Sequence, residues 1–292
     1  MTLFSSAYLE PIRTCYPDLT IEQVRFHNDT GGQFNVVLFI NNALIFRFPR
    51  STEVADTFTT ELKILTYLQP HLSLPIPQPT FQNLDPSRGK IFMGYSMLPG
   101  QPLWQKILAT IENRAILDRL ATQLARFLQE LHHVEVDKFD LTLPIQDGWA
   151  EWKKLYEDFR THLFPHMRLD AQETVTANFE KYLNDPAQFK YCPTFRHGDF
   201  GPSNILYDAT KQTISGIIDF DSVGVGDPAL DVGAVLNLGE DFFKRMARVY
   251  PDMLTLRKRC DFYRSTYALQ EALYGLRDNV MTSFEAGIAS YR

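Results

Sequence analysis

His197-Gly198-Asp199-Phe200-Gly201-Pro202-Ser203-Asn204 is the stretch whose residue types and spacing speak most directly of chemistry. A loop of the form His-x-Asp-x-x-x-x-Asn supplies a carboxylate beside an acceptor hydroxyl and an amide oxygen for a divalent cation. A second run, Gly216-Ile217-Ile218-Asp219-Phe220-Asp221, follows after Ile205-Leu206-Tyr207 and adds Asp219 as a further metal ligand. Mg²⁺ prefers carboxylate, amide carbonyl and phosphate oxygens, and Asp199, Asn204 and Asp219 are all of that kind. Singly, such residues more often cap helices and make turns. Two ligand-bearing segments joined by a short hairpin, each beside an apolar β-like run, favour metal-dependent phosphoryl transfer. His197 reads as a brace that holds the loop by hydrogen bonds. Asp227 and Asp231 read as caps and braces.

Phosphates also need a cation and a close backbone approach. Asp29-Thr30-Gly31-Gly32-Gln33 precedes a strand, and its glycines would let amides reach phosphate oxygens, although a simple turn has the same composition. In Ile45-Phe46-Arg47-Phe48-Pro49-Arg50, alternation puts Arg47 on the strand face opposite Phe46 and Phe48. Arg47 is the expected phosphate contact, paired with Glu61 on the next helix.

The elements that must position these residues alternate along the chain. Phe34 to Phe48 reads as two antiparallel strands broken at Asn41-Asn42. Phe58, Leu62, Leu65 and Leu68 have helical spacing within 56–68, and Pro70, Pro75, Pro77 and Pro79 end that helix. Ile91 to Leu98 reads as a strand, and Pro99-Gly100-Gln101-Pro102 as a break with turn chemistry between lobes. Leu117, Leu120, Leu124, Phe127, Leu128 and Leu131 form one stripe of a long helix. Segments 149–190 and 240–292 are mostly helical by pattern; 205–207 and 214–219 are short strands between them. The fold class is α+β. The expected division is 1–98 and 99–292, the second part carrying helical insertions at about 134–190 and 240–292.

At 292 residues, 45% hydrophobic and 22% charged, the chain can fill a sizeable core in two lobes. A formal charge of −6 argues against nucleic acid or anionic lipid as a partner. Cys15, Cys192 and Cys260 are scattered, which gives neither a disulfide framework nor a zinc site. Glu10, Arg13 and Asp18 interrupt the first twenty residues, and no long apolar run occurs. A cytoplasmic monomer without membrane contact is expected.

The chain resembles the aminoglycoside phosphotransferases, most closely the branch that modifies a 2″-hydroxyl. The resemblance rests on the Phe-Arg-Phe-Pro strand with Glu61, Leu74-Pro75-Ile76-Pro77, the helix ending at His132, the HGDFGPSNILYD loop, IIDFDSVGVGDPALD, and the closing ALQEALYGLRDN and FEAGIASYR. The HGD and IIDF elements are shared with choline and other metabolite kinases. The resemblance implies a two-lobed protein-kinase-like fold, with a small β-rich N-terminal lobe and a larger helical C-terminal lobe. It also implies ATP or GTP as donor and two Mg²⁺ ions held by Asn204 and Asp219, with Asp199 as base or hydroxyl-orienting group. Ser96, Met97 and Leu98 would bind the base, with Ile218 also nucleotide-binding and Tyr95 as a selector between ATP and GTP. Ser203, Glu240, Asp241, Glu271 and Tyr274 would face an aminoglycoside, whose ammonium groups call for carboxylates. Asp221 stands where protein kinases carry Gly and is expected on the substrate or metal side, or as a solvated turn residue. Arg47 replaces the Lys frequent in the 2″ branch, and Ser283 replaces an aromatic residue. The competing expectations are a macrolide or metabolite kinase, and a nucleotide-binding pseudokinase.

Overall fold

The structure, a computed structural model, describes residues 3–27, 34–141 and 143–292. The expected phosphate turn at Thr30, Gly31 and Gly32 lies outside the described residues. The chain clusters into two compact units, Met1–Pro102 with Ile205–Asp221 and Leu103–Asn204 with Ser222–Arg292.

The first unit is built on a five-stranded antiparallel sheet, order β1-β2-β3-β5-β4, comprising β1 (Val24–Phe26), β2 (Asn35–Ile40), β3 (Leu44–Pro49), β4 (Phe81–Asn83) and β5 (Phe92–Ser96). The β2–β3 hairpin turns where the sequence places it. Asn41 and Asn42 take φ of 54° and 50°, a left-handed region that Asn tolerates better than most residues. Asn41 also ties the turn down, accepting from the Glu22 and Gln23 amides at 2.9 and 3.0 Å. Alternation along β3 then decides which side chain meets which helix. Phe46 and Phe48 pack with Leu9 and Ile12 of α1 (Leu3–Cys15), whereas Arg47 meets Glu61 of α2 (Thr52–Leu68). Burying each such Phe or Leu contributes about 1.5–3 kcal/mol.

Helix α1 has no counterpart in the sequence reading, and Pro11 lies inside it. Helix α2 begins four residues before the expected start at 56, because Ser51 caps it by accepting from the Val54 amide at 3.3 Å.

The same unit contains a small sheet, β6 (Gln101–Pro102), β8 (Ile205–Asp208) and β9 (Thr213–Ile217), in the order β6-β8-β9. Part of the stretch read as a plain break is therefore an edge strand, with Gln101 opposite Tyr207. Two residues show no periodicity, and Pro is tolerated at a sheet edge. The strand expected over 214–219 stops at Ile217, and Asp219 has left the ladder with φ 66°.

The second unit is helical. It contains α3 (Gln105–Leu108), α4 (Arg114–His133), α5 (Trp149–Asp158), α6 (Leu169–Leu183), α7 (Ala229–Val235), α8 (Glu240–Ala247), α9 (Arg257–Arg277) and α10 (Met281–Ile288). A two-stranded ladder joins β7 (Thr194–Arg196) to β10 (Gly224–Gly226). The expected stripe of α4 is buried from Leu120 to Leu131, and Asn113 caps the helix on the Ala115 amide. Trp152, Tyr182, Phe262 and Tyr263 stack into an aromatic core between α5, α6 and α9. No helix among the described residues is long and apolar enough to cross a membrane.

Helices α9 and α10 cross where Gly275 meets Phe284. A Cβ at Gly275 would fall 2.2 Å from the Phe284 backbone nitrogen, so backbone rather than a pliable side chain would have to move. Gly275→Ala is expected to cost about 1–3 kcal/mol or more in urea unfolding. An unchanged unfolding midpoint would show that the crossing is looser than this contact implies.

Candidate active site

In the second unit β7 delivers the chain into the 197–204 loop, and the loop is clamped from below. The buried Asp231 carboxylate, in the first turn of α7, accepts from the His197 amide at 2.7 Å and the Gly198 amide at 2.9 Å. His132 Nε2 lies 3.3 Å from the same carboxylate. Burial pushes the Asp231 carboxyl up, but these hydrogen bonds and the neighbouring His132 and His197 prevail and hold it below the usual carboxylate range. Gly198 has φ 88°, and a Cβ there would sit 2.3 Å from the Ser222 carbonyl oxygen, so this position requires Gly. His197 is fully buried, and its Nδ1 accepts from the Asp199 amide at 3.2 Å.

Asp199 itself is exposed, between buried His197 and buried Phe200, whose ring stacks on Phe127 of α4 at 5.7 Å. Asn204 Nδ2 donates to both the Asp199 carbonyl and Asp199 Oδ2, each at 2.9 Å. The amide nitrogen is thus committed to fixing Asp199, which leaves the Asn204 oxygen as a donor atom for a cation. Ser203 is exposed beside it.

Helix α9 contributes a residue the sequence reading missed. Burial raises the Tyr267 phenol, and among the charges that add to the shift are Asp231 and Asp199. Its hydroxyl donates to the Leu230 carbonyl at 3.3 Å. Glu271 and Tyr274 follow at i+4 and i+7, on the same helical face. That spacing was the available signal for Tyr267. Glu271 is exposed and Tyr274 half-buried. Glu240 and Asp241 are exposed in the first turn of α8, but the two differ. Arg257 donates to both Glu240 oxygens at 2.9 and 3.0 Å, so the Glu240 charge is already met.

In the first unit Arg47 and Glu61 form the expected pair, both buried, with Nη1–Oε1 2.6 Å and Nη2–Oε2 3.3 Å. The Phe58 ring lies 5.4 Å from the guanidinium. Asp221 is bonded to Arg47 Nη2 and accepts from Asn35 Nδ2 at 2.8 Å, so it is not a solvated turn residue. Burial, Asp219 and Glu61 push its carboxyl up to about 8, against the opposing pull of Arg47. Arg47 stays protonated: burial disfavours its charge, but Glu61, Tyr95 and Asp221 outweigh that. Tyr95 is buried on β5 opposite Ile45. Ser96 and Met97 are exposed and Leu98 half-buried; the Met97 amide donates to the Ala43 carbonyl at 2.7 Å. Ile218 is half-buried and Asp219 exposed.

Among the described residues no three His, Cys, Asp or Glu side chains form a metal cage. Asn204 and Asp219 each carry a hard oxygen of the kind Mg²⁺ prefers.

The profile of the phosphotransferase enzyme family (APH) spans residues 26–263, which takes in the Arg47–Glu61 pair, the 197–204 loop and Asp219. The chain belongs to this family. It is 29% identical over 282 residues to viomycin phosphotransferase of Streptomyces vinaceus, with 94% of this chain and 92% of that protein aligned. The structure of the GDP and kanamycin complex of APH(2″)-IIIa superposes with a TM-score of 0.88 at 28% identity, covering 98% and 97% of the two chains. Macrolide 2′-phosphotransferase type I superposes with a TM-score of 0.76 at 18% identity, covering 100% and 98%, a likeness of fold alone. The phosphotransferase accordingly has the two-lobed protein-kinase-like fold, with a β-rich N-terminal lobe and a helical C-terminal lobe. It is an O-phosphotransferase enzyme.

Proposed function

We propose that this phosphotransferase moves the γ-phosphoryl group of ATP or GTP to a hydroxyl of an aminoglycoside antibiotic, at the 2″ position, and so confers resistance. The observation that carries the reading is the 197–204 loop: an exposed carboxylate at Asp199, fixed by Asn204, on a backbone clamped by Asp231. Likeness to the GDP and kanamycin complex along the whole chain supports the donor and acceptor classes.

Asp199 orients the acceptor hydroxyl and takes its proton as the new oxygen–phosphorus bond forms and the bond to the β-phosphate oxygen breaks, leaving a nucleoside diphosphate. Asn204 and Asp219 would hold Mg²⁺, which supplies charge neutralisation on the phosphate oxygens. Arg47 contacts the phosphates, and Thr30, Gly31 and Gly32 are the other phosphate-binding residues of this reading. Ser96, Met97, Leu98 and Ile218 receive the base, with Tyr95 as the selector. Catalysis is then mainly positioning and charge stabilisation. For the acceptor, Ser203, Asp241, Glu271 and Tyr274 are the contacts, and Glu240 contributes once Arg257 yields it. Carboxylates on exposed helical faces suit a polycation.

Similarity to viomycin phosphotransferase carries a second reading, in which viomycin is the acceptor. Mass spectrometry of kanamycin, gentamicin, viomycin and a macrolide after incubation with Mg²⁺ and either ATP or GTP separates the readings. Phosphorylated kanamycin or gentamicin is expected. Phosphorylation of viomycin or the macrolide alone would replace the aminoglycoside assignment.

Asp219→Ala is expected to weaken Mg²⁺-dependent ADP binding by at least the roughly 10–100-fold that disturbing even an outer-shell metal partner costs. Calorimetry showing wild-type affinity would move the metal elsewhere.

A further inference from the structure

The guanidinium that should greet a triphosphate is already engaged by two carboxylates of its own unit. Glu61 takes Nη1 and Nη2, and Asp221 takes Nη2 as well. Arg47 and Glu61 side chains are 8% and 6% exposed and Asp221 20%, so water screens little of this. Two carboxyl groups therefore crowd one guanidinium, with Asp219 two residues from Asp221. A phosphate brings oxygens of the same kind as those of Asp221 and competes for the same N–H donors. The planar fork of Arg can keep Glu61 on one side while the other changes partner, which the point charge of Lys does not reproduce. Asn35 provides the place for the released carboxylate. Its side chain is buried, and its Nδ2 already donates to the second Asp221 oxygen at 2.8 Å.

We propose that Asp221 is an internal stand-in for a nucleotide phosphate on Arg47, exchanged for a phosphate oxygen when the metal-loaded nucleotide binds while Asn35 retains the displaced carboxylate. The inference rests on the nucleotide-binding reading above. Its consequence is that nucleotide without metal binds weakly, because it must displace Asp221 while adding its own negative charge beside Asp221 and Glu61. Exchange with a metal-loaded nucleotide replaces one charge-assisted bond by another and is close to neutral.

Calorimetric titration with ADP, with Mg²⁺ and with a chelator, tests this on wild type, Asp221→Asn, Arg47→Lys and the double variant. Asp221→Asn is expected to tighten metal-free ADP by about tenfold or more, which is about 1.4 kcal/mol. The same change in the Arg47→Lys background is expected to tighten it much less. A gain in affinity is something that loss of a merely structural contact does not produce. Unchanged or weakened metal-free binding in Asp221→Asn overturns the exchange, and so does equal tightening in both backgrounds, the mark of a simple field effect. If Asp221→Asn does not fold, Asp221→Ser removes the same carboxylate and is read by the same criteria. Failure of the wild type to bind either ADP or GDP with Mg²⁺ would overturn the nucleotide reading itself, and the exchange with it; if only GDP binds, the same titrations are run and read with GDP.

Discussion

Asp199→Asn lowers kcat for phosphoryl transfer by about 10²–10⁴-fold, the range that a positioned general base contributes, and leaves nucleotide affinity nearly unchanged. The substitution keeps the shape of the side chain and an oxygen for Asn204 Nδ2 to bond, now 2.9 Å from Asp199 Oδ2. The loop therefore stays in place while the charge that takes the proton is gone. Steady-state kinetics together with ADP calorimetry separates the two quantities. Wild-type turnover would remove Asp199 from the chemistry, and lost nucleotide binding would show that its role lies in the donor site.

Asp231→Ala is expected to cost about 3–5 kcal/mol of stability, the range for breaking a buried, hydrogen-bonded charge arrangement. The His197 and Gly198 amides would both lose their acceptor, and each unsatisfied buried group costs about 1–3 kcal/mol. Asp231→Asn keeps one acceptor oxygen and should lose less. Because the folded carboxyl is held below its usual range, the unfolded chain takes up the proton first as pH falls. The Asp231 contribution is therefore complete above the ordinary carboxylate pKa of about 4 and is lost as pH drops through the folded value. Urea unfolding across that window should show a steeper acid loss in wild type than in Asp231→Asn. Parallel curves would contradict the clamp.

What the sequence made legible is local or patterned. Asn41-Asn42 between two apolar runs announces the β2–β3 turn, and strict alternation through Phe46, Arg47 and Phe48 assigns each to its face. The spacing of Asp199 and Asn204 singles both out, but the bonds from Asn204 Nδ2 to Asp199 are seen only in the structure. Partnerships made at long range leave no period to read. Asp221 finds Arg47 across 174 positions, and Glu240 finds Arg257 across 17, so their charges looked free when they are not. The buried Arg196–Asp147 pair, 2.6 Å apart, went unseen for the same reason. Tyr267 shares a helical face with Glu271 and Tyr274, but the partner of its hydroxyl, the Leu230 carbonyl of α7, lies 37 positions away and leaves no trace in the α9 pattern. Helix α1 was not read at all, although Leu9 and Ile12, three apart, are fully buried.

The most direct measurement is transfer from GTP or ATP to kanamycin in the presence of Mg²⁺, followed by product mass for wild type and Asp199→Asn side by side. The account predicts a singly phosphorylated drug from the wild type and next to none from the variant. Unmodified drug with both proteins, or equal product from both, would contradict it.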